Sequence, residues 1–335
     1  MFINGSKEWI GKNAHTFLLI RTALEKKLLS LEFEYFYGGI ISKRSVYESH
    51  IQMLGSYFTK VFVDFLFKDK KYILSPEYTF RVYEYLNRNN LLNKENKIFY
   101  SQEMMRNESL LDIEEGKTFS FWQIGYEIFG QDDTLLSIDS ISTLYKCLQE
   151  LPLDDLYFRI TDKRIFKSLC KQYSIDDMLE VSALMDVCNE DGDSFYSRYI
   201  KEGGNPVFAE KLRYLMKLSS EGRLTFDILK DTLNGKTALE AIESLEEIYN
   251  ALGKVCGQQS IVLVPYMPKT WDAYTTFIYD ARVPGYEKAI AGGGNLFIDP
   301  TNPNCTHSGV GIGVTRIAEY LIARGLDIES RESAS

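Results

Sequence analysis

The chain has 335 residues, 45% of them hydrophobic and 25% charged, which is the balance of an ordinary globular protein and excludes a disordered or fibrous chain. Its formal net charge of −9 argues against a surface that holds nucleic acid, because such affinity comes from Lys and Arg side chains that neutralise phosphates. The N-terminal sequence lacks a secretory-signal pattern, and no segment reaches the roughly 18 uninterrupted apolar residues of a membrane span. We therefore expect a cytoplasmic protein without a membrane partner.

The cysteines predict neither a disulfide framework nor a metal centre. The five are odd in number, scattered, and form no CxxC pair, so we predict free thiols. Cys305 and His307 lie two residues apart near Asp299, which raises the question of a metal site. Because no further ligand pair accompanies them, we favour a plain loop there and predict no metal.

The first 90 residues predict two helices and several short strands. Apolar residues recur at helical spacing over 13–30, and an aromatic run over 33–37 favours a strand that enters a turn. The segments 61–66 and 71–74, separated by the polar turn KDKK, favour a hairpin. A helix is predicted at 77–86.

The middle of the chain predicts two long strands. They lie at 97–105 and 119–129 and are joined by a polar, acidic loop at 107–118, which fits an antiparallel pair. A helix at 137–149 and a short strand at 156–160 follow. The chain then becomes helical in period for about ninety residues.

These elements divide the chain into four segments. Further strands and a closing helix are predicted at 260–266, 275–279, 289–290, 296–298 and 315–324. Strands with helices segregated around them favour an α+β fold over a doubly wound parallel sheet. We predict the first part of a core at 1–161, a helical insertion at 162–253, the second part of the core at 254–326 and a disordered tail at 327–335.

A polar row is predicted on one face of the strand at 119–129. Alternation places Phe121, Gln123, Gly125 and Glu127 on the same face. Polar groups on a strand inside a large core need a ligand or partners. The spacing alone fits a solvated sheet face at least as well, so both interpretations stay open.

Two glycine-rich segments follow. In AIAGGGN, the run from Gly292 to Gly294 permits close approaches that a Cβ forbids, and spacing alone favours a tight turn. In SGVGIGVTR, alternate glycines precede Arg316 at the start of an apolar helix. A planar guanidinium there suits a phosphate or an adenine, and packing at the helix start is an equally good explanation.

Six segments together resemble histidyl-tRNA synthetases and their paralogues. They are YILSPEYTF, KIFYSQEMMRNE, FWQIGYEIFG, WDAYTTFIYD, AIAGGG and GVGIGVTR, in the order and approximate spacing of that family. The resemblance covers about residues 11–324. It implies the catalytic core of a class II aminoacyl-tRNA synthetase, an antiparallel sheet flanked by helices, with ATP and Mg²⁺ as cofactors, histidine as ligand and a homodimer as assembly. We expect the chain to lack an anticodon-binding domain.

The resemblance implies a nucleotide site made of four residues. Arg106 corresponds to the arginine that holds the ATP α-phosphate and the amino-acid carboxylate. Phe121 corresponds to the aromatic residue that stacks on adenine, and Arg316 to the arginine that binds ATP in the last motif. Glu108 is assigned to the same ATP site.

The resemblance also implies an amino-acid site. Glu77, Thr79 and Gln123 correspond to residues that hold the α-amino group, and Glu127 and Tyr274 to the pair that recognises an imidazole. A carboxylate and a phenol can satisfy both ring nitrogens and reject ligands that lack them. Histidine is therefore the expected ligand.

Several departures from the family pattern bear on activity. Lys269 stands where a catalytic arginine is usual, which keeps the charge and loses the planar fork. The loop SLLDIEEGKTFSF is acidic, with Phe119 in place of an arginine, and should repel a tRNA acceptor stem. The proline expected in the first motif, after 36–41, is absent.

Three functions follow from the resemblance. The first is ATP-dependent activation of histidine, with Arg106, Lys269 and Arg316 as catalytic residues and an acceptor other than tRNA. The second is a non-catalytic, histidine-binding regulatory subunit that pairs with the catalytic subunit of ATP phosphoribosyltransferase. The third is a histidine-tRNA ligase, against which the acidic loop and the net charge count. A changed pocket that binds another amino acid is the remaining alternative.

Overall fold

The computed structural model of the chain describes residues 6–48, 60–92, 94–108, 113, 118–130, 132–188, 190–267, 273–297, 306–326 and 328. The helices of this part are α1 (Lys12–Ser30), α2 (Ser45–Glu48), α3 (Thr79–Arg88), α4 (Asp133–Leu148), α5 (Lys163–Gln172), α6 (Met178–Val187), α7 (Gly192–Lys201), α8 (Pro206–Ser220), α9 (Phe226–Thr232), α10 (Lys236–Cys256) and α11 (Val314–Arg324). A 3₁₀ turn spans Gln258–Ser260. The strands are β1 (Glu34–Tyr35), β2 (Ile41–Lys43), β3 (Val63–Phe67), β4 (Lys70–Leu74), β5 (Asn96–Met105), β6 (Ser120–Phe129), β7 (Tyr157–Asp162), β8 (Ile261–Leu263), β9 (Tyr274–Arg282), β10 (Ala291–Leu296) and β11 (His307–Gly313).

The strands form one large and one small sheet. The large sheet has the order β1-β5-β6-β11-β10-β9-β7-β8, and the small one has the order β2-β4-β3. Pairing is antiparallel apart from the outer pairs β1–β5 and β7–β8, which are parallel. The predicted α+β architecture, an antiparallel sheet with flanking helices, is confirmed.

Each face of the large sheet carries its own apolar cluster. On one face α1, α4 and α11 bury residues such as Leu24, Leu144 and Ile317. On the other face α3 and the small sheet bury a second cluster that includes Phe80 and Tyr100. Burial of apolar area on both faces stabilises the central strands. The candidate site lies on the second face.

The helices of the predicted insertion share a core with the sheet. Leu169, Met185 and Leu245 belong to the same buried cluster as Phe158 and Ile160 of β7. The helices α5 to α10 occupy the range predicted as helical, and α10 continues to Cys256. These helices are therefore packed on the edge of the sheet around β7.

The glycine run at 292–294 does not form the predicted turn. One strand, β10 at Ala291–Leu296, stands where two were predicted at 289–290 and 296–298, and the glycines lie within it, paired with β11. A Cβ on Gly293 would lie 2.4 Å from the carbonyl oxygen of Gly309. The glycines thus serve the close approach of two strands and not the turn that spacing alone favoured.

Two further sequence predictions concern the C-terminal tail and the absence of a membrane span. The predicted tail at 327–335 lies outside the described residues except for Ile328, which is buried. Within the ranges given above, no helix combines the length and the apolarity of a membrane span.

Candidate functional site

A cavity of about 410 Å³ opens on the face of the sheet covered by α3. Its walls come from β5, β6, β9, β10 and β11, the starts of α3 and α11, and one residue of α6. Eight of the predicted site residues line it: Glu77, Thr79, Arg106, Glu108, Phe121, Gln123, Tyr274 and Arg316. Glu127 lies behind the wall, and Lys269 lies outside the described residues.

Glu77 presents a carboxyl group at the inner end of this cavity. Its residue is 2% exposed, and its Oε2 accepts a hydrogen bond from the amide of Phe80 at 3.2 Å, in the first turn of α3. Its Oε1 is buried and has no hydrogen-bond partner among the described residues. Burial, and then the negative charge of Glu127, raise the pKa of Glu77 to about 8. The group is therefore largely protonated at neutral pH in the ligand-free chain, and a cationic ligand would favour its ionised form.

Glu127 is fully buried and bonded on both oxygens. Its Oε1 accepts from the hydroxyl of Thr79 at 2.7 Å and lies 3.4 Å from the hydroxyl of Tyr100. Its Oε2 lies 2.5 Å from Nε2 of His307. The pairing follows from register, because His307 and Gly309 of β11 stand opposite Phe129 and Glu127 of β6.

Tyr100 and Gln123 complete the polar wall. The amide of Gln123 donates to the Tyr100 hydroxyl at 3.4 Å. A Cβ on Gly125 would lie 2.2 Å from the Tyr100 ring, so glycine is required for this ring position. The predicted polar row of β6 therefore faces a cavity and a buried network, and it is not a solvated sheet face.

Replacement of Gly125 by Ala should disturb this network. The methyl group would meet a rigid, buried ring, and overpacking of this kind costs about 1–3 kcal/mol. Denaturant unfolding of Gly125→Ala measures it. Gly192→Ala is the matched control, because a Cβ there would meet nothing nearer than 3.5 Å. Equal stability of the two variants would contradict the assigned ring position.

Arg106 and Phe121 form one side of the outer cavity. The Nε atom of Arg106 donates to the carbonyl of Pro76 at 3.1 Å, and its guanidinium carbon lies 5.0 Å from the centroid of the Phe121 ring. The amide of Arg106 donates to the carbonyl of Phe119 at 2.9 Å. The guanidinium of Arg106 and the ring of Phe121 thus lie together beside Pro76, which precedes Glu77 in the chain.

Arg316 stands on the opposite side at the start of α11. It is exposed, and its Nη1 donates to the carbonyl of Ala289 at 2.8 Å. Thr315 beside it accepts from the amide of Trp122 at 2.8 Å, which fixes the helix start against β6. The two arginines therefore border one cavity whose inner end is acidic.

His307 is the residue that the sequence analysis misplaced. The predicted plain loop at Cys305 and His307 is wrong for His307, which is a buried residue of β11. Its ring stacks on Phe129, with centroids 4.3 Å apart. The sequence did contain a signal for a strand here, because His307, Gly309, Gly311 and Gly313 follow one another at steps of two, the period of one strand face.

Asp186 of α6 is a second addition to the site. It lines the cavity, and no pattern in the helical region marked it. The predicted absence of a metal stays a prediction. In the described part of the chain no group of three His, Cys, Asp or Glu side chains could hold a metal ion, and Asp299 and Cys305 lie outside it.

Comparison with known proteins gives the family. Residues 47–296 match the family model described as histidyl-tRNA synthetase. The chain belongs to the histidyl-tRNA synthetase family. The predicted resemblance is thereby confirmed.

Curated relatives of this family member fall into two groups. The chain is 25% identical over 233 residues to an ATP phosphoribosyltransferase regulatory subunit of Clostridium novyi, which covers 67% of this chain and 53% of the relative. It is 23% identical over 272 residues to a histidine–tRNA ligase of Pyrococcus horikoshii, covering 78% and 62%. The chain thus spans about half to three fifths of the length of these relatives.

Solved structures agree on the fold. A Bacillus halodurans protein titled ATP phosphoribosyltransferase regulatory subunit/histidyl-tRNA synthetase superposes with a TM-score of 0.78 at 11% identity, covering 95% of this chain and 82% of that one. A histidine–tRNA ligase subunit of Alicyclobacillus acidocaldarius superposes with a TM-score of 0.72 at 14% identity, covering 97% and 98%. Both show the fold of the family.

Proposed function

We propose that the chain binds an α-amino acid and ATP in this cavity and joins them as an aminoacyl-adenylate. The observation that carries the proposal is the arrangement of one cavity: a buried carboxyl group at the inner end, two arginines on opposite sides of the outer end and an aromatic face beside one of them. Glu77, Arg106, Phe121 and Arg316 supply these groups. An amino acid carries an ammonium group that matches the carboxyl group, and ATP carries negatively charged phosphates that match the arginines.

The inner end suits an ammonium group. The Thr79 hydroxyl donates to Glu127, so only its lone pairs remain for a ligand. Oε1 of Glu77, for which the described residues offer no hydrogen-bond partner, is a second acceptor when the carboxyl group is ionised. An α-ammonium group supplies three donors and no acceptor, like that of lysine, and satisfies both oxygens.

The outer end suits the reacting groups. The ligand carboxylate oxygen would attack the α-phosphorus of ATP, so that an O–P bond forms and the bond to the β-phosphate oxygen breaks, with pyrophosphate leaving with the electron pair. Arg106 would hold the carboxylate and α-phosphate in line, and Arg316 would bind the phosphate chain. Phe121 would stack on the adenine ring.

The residues also fit Mg²⁺ bound through ATP. Mg²⁺ commonly uses one or two carboxylates together with substrate phosphates, and Glu108 lines the cavity near Arg106. The ion would supply positive charge to the phosphates when bound. Lys269 remains a proposed catalytic residue.

The proposed acceptor is not tRNA, because the acidic segment after Glu108 and the net charge of −9 oppose an RNA acceptor stem. A small amine or a carrier is the proposed acceptor class. We also propose that the protein acts in the cytoplasm and forms a homodimer.

A second candidate function is regulatory. Relatives named ATP phosphoribosyltransferase regulatory subunit match the chain at 25% and 27% identity. In that function the cavity would bind an amino acid, with histidine as the ligand expected from the family, and the chain would pair with a catalytic subunit without forming an adenylate.

Amino-acid-dependent ATP–pyrophosphate exchange separates the two functions. The purified chain is assayed with Mg²⁺ and each of the twenty amino acids, and the same amino acids are titrated calorimetrically without ATP. Exchange with one of them is the expected result. Binding of an amino acid without any exchange would contradict adenylation and favour the regulatory function.

Amino-acid binding should release a proton at neutral pH. Glu77 has a pKa of about 8, and an ammonium ligand requires its ionised form. Affinity should therefore rise by about tenfold per pH unit from pH 6 to 7 and level off above 8. Calorimetry in buffers of different ionisation enthalpy measures the release, and Glu77→Gln should abolish it. A pH-independent affinity would contradict the assignment.

The same group predicts a slope in stability. The pKa of Glu77 in the folded chain lies above its ordinary value of 4.5. Its contribution to the free energy of unfolding is therefore complete below that value and is lost as the pH rises through about 8. The ligand-free chain should unfold more readily at pH 8.5 than at pH 6, and Glu77→Gln should flatten this difference.

A further inference from the structure

The carboxylate expected to recognise an imidazole already holds one from the chain itself. Nε2 of His307 lies 2.5 Å from Oε2 of Glu127, and both side chains are 0% exposed. The His307 ring is fixed by its stacking on Phe129 at 4.3 Å. The pair therefore belongs to the folded core.

Glu127 has no site left for a ligand. A carboxylate offers about four lone-pair positions. The hydroxyl groups of Thr79 and Tyr100 donate to Oε1, and Nε2 of His307 is bonded to Oε2. Oε2 also packs against β11, where a Cβ on Gly309 would lie 2.4 Å from this oxygen. A bound histidine could reach Glu127 only by displacing bonds inside the core.

We infer that His307 sets the specificity of the cavity: its imidazole occupies Glu127 in place of a ligand side chain, and the cavity selects an α-amino acid with an uncharged, apolar side chain. The inference rests on the proposed binding of an amino acid and replaces the expectation that this amino acid is histidine. Glu127 becomes a positioning residue that orients the hydroxyl groups of Thr79 and Tyr100.

The inner wall agrees with an apolar side chain. Beside Glu77 and Thr79 the cavity meets Leu296 and Gly309. Gly309 leaves this wall without a side chain, and Leu296 is 5% exposed. Burial of apolar ligand surface against such a wall is favourable.

The wild-type ranking of amino acids tests the inference without any variant. Calorimetric titration of all twenty amino acids should place an apolar one first and histidine at least about tenfold weaker, a difference typical of a lost hydrogen-bonded fit. Histidine as the tightest ligand would overturn the inference and leave the proposed function standing. Failure of every amino acid to bind would overturn both.

Removal of the internal imidazole should change the specificity. His307→Ala leaves a space of imidazole shape beside Glu127, so the variant should bind free imidazole and should bind histidine about tenfold more tightly than the wild type does. His15→Ala, which removes an exposed histidine, should do neither. Stabilisation by imidazole without any gain in histidine affinity would show a structural role alone and would overturn the inference.

A second variant covers the case in which His307→Ala does not fold. His307→Asn keeps a donor for Glu127 and is shorter than histidine. It should remain folded and show a smaller gain in histidine affinity than His307→Ala is expected to show. An unchanged amino-acid ranking in folded His307→Asn, with no gain for histidine, would count against the inference.

Discussion

Replacement of Arg316 by Ala should lower amino-acid-dependent ATP–pyrophosphate exchange by about 10²–10³-fold. The guanidinium is exposed at the cavity edge, and its bond to the carbonyl of Ala289 at 2.8 Å holds it where the phosphates of ATP would lie. Loss of one preorganised group that stabilises transition-state charge typically has an effect of this size. The variant should unfold within about 0.5 kcal/mol of the wild type, because the side chain is exposed.

Arg324→Ala is the matched control for this prediction. Arg324 lies at the other end of α11 and donates in the same way, from Nη2 to the carbonyl of Pro284 at 2.9 Å. It does not line the cavity. Its replacement should leave exchange within about twofold of the wild type, as is usual away from a reacting centre. Equal losses in the two variants would contradict the role of Arg316 at the phosphates.

Replacement of Arg159 by Ala should lower the free energy of unfolding by about 2–4 kcal/mol. Arg159 of β7 bonds to Glu190 at 2.6 Å and to Asp280 at 2.6 Å, with Asp280 only 3% exposed. Removal of one partner from a buried ion pair leaves an uncompensated charge, which typically costs 3–5 kcal/mol. Arg282 lies 3.3–3.4 Å from the same carboxylates and offsets part of the loss.

Urea unfolding measures the effect, with Arg198→Ala as control. Arg198 pairs with Glu202 in the helical region, but both side chains are 51% exposed, and such pairs contribute at most about 0.5 kcal/mol. A loss in Arg159→Ala no larger than that of the control would contradict the buried cluster. The same cluster ties Glu190, which follows α6, to β7 and β9, so its loss should also weaken the cavity wall at Asp186.

The elements that the sequence predicted best are those with a strong local period. The helix predicted at 13–30 is α1 at Lys12–Ser30, and the strand pair predicted at 97–105 and 119–129 is β5 and β6. In each case the signal is the pattern of apolar residues within the element itself. The order of strands in the large sheet was not predicted, since no local pattern specifies it.

The glycine run and His307 show where local reasoning fails. Spacing alone favoured a turn at Gly292 to Gly294, and only the approach of Gly309 on the neighbouring strand shows that these glycines pair two strands. The loop predicted at His307 rested on its neighbour Cys305, but the side chain that His307 contacts is Glu127, 180 residues away in sequence. Long-range partners of this kind have no signature in a single segment.

The candidate site was predicted through family motifs more than through physical patterns. Composition argued against polyanions, and the charge of −9 gave no sign of the two arginines that border the cavity. Asp186 could not be predicted, because a helix that packs on a sheet edge can present any of its residues to a neighbouring cavity. The raised pKa of Glu77 could not be predicted from the sequence either, because it depends on burial and on Glu127.

The most direct test of the account is calorimetric titration with an aminoacyl-sulfamoyl adenosine, a stable mimic of the adenylate, made with the amino acid that ranks first in the binding series. We predict one site per chain, a Kd well below that of the amino acid alone, and competition by both ATP and the amino acid, because one cavity holds both halves. Competition by the amino acid alone, with no contribution from the nucleotide, would contradict adenylation and leave an amino-acid sensor.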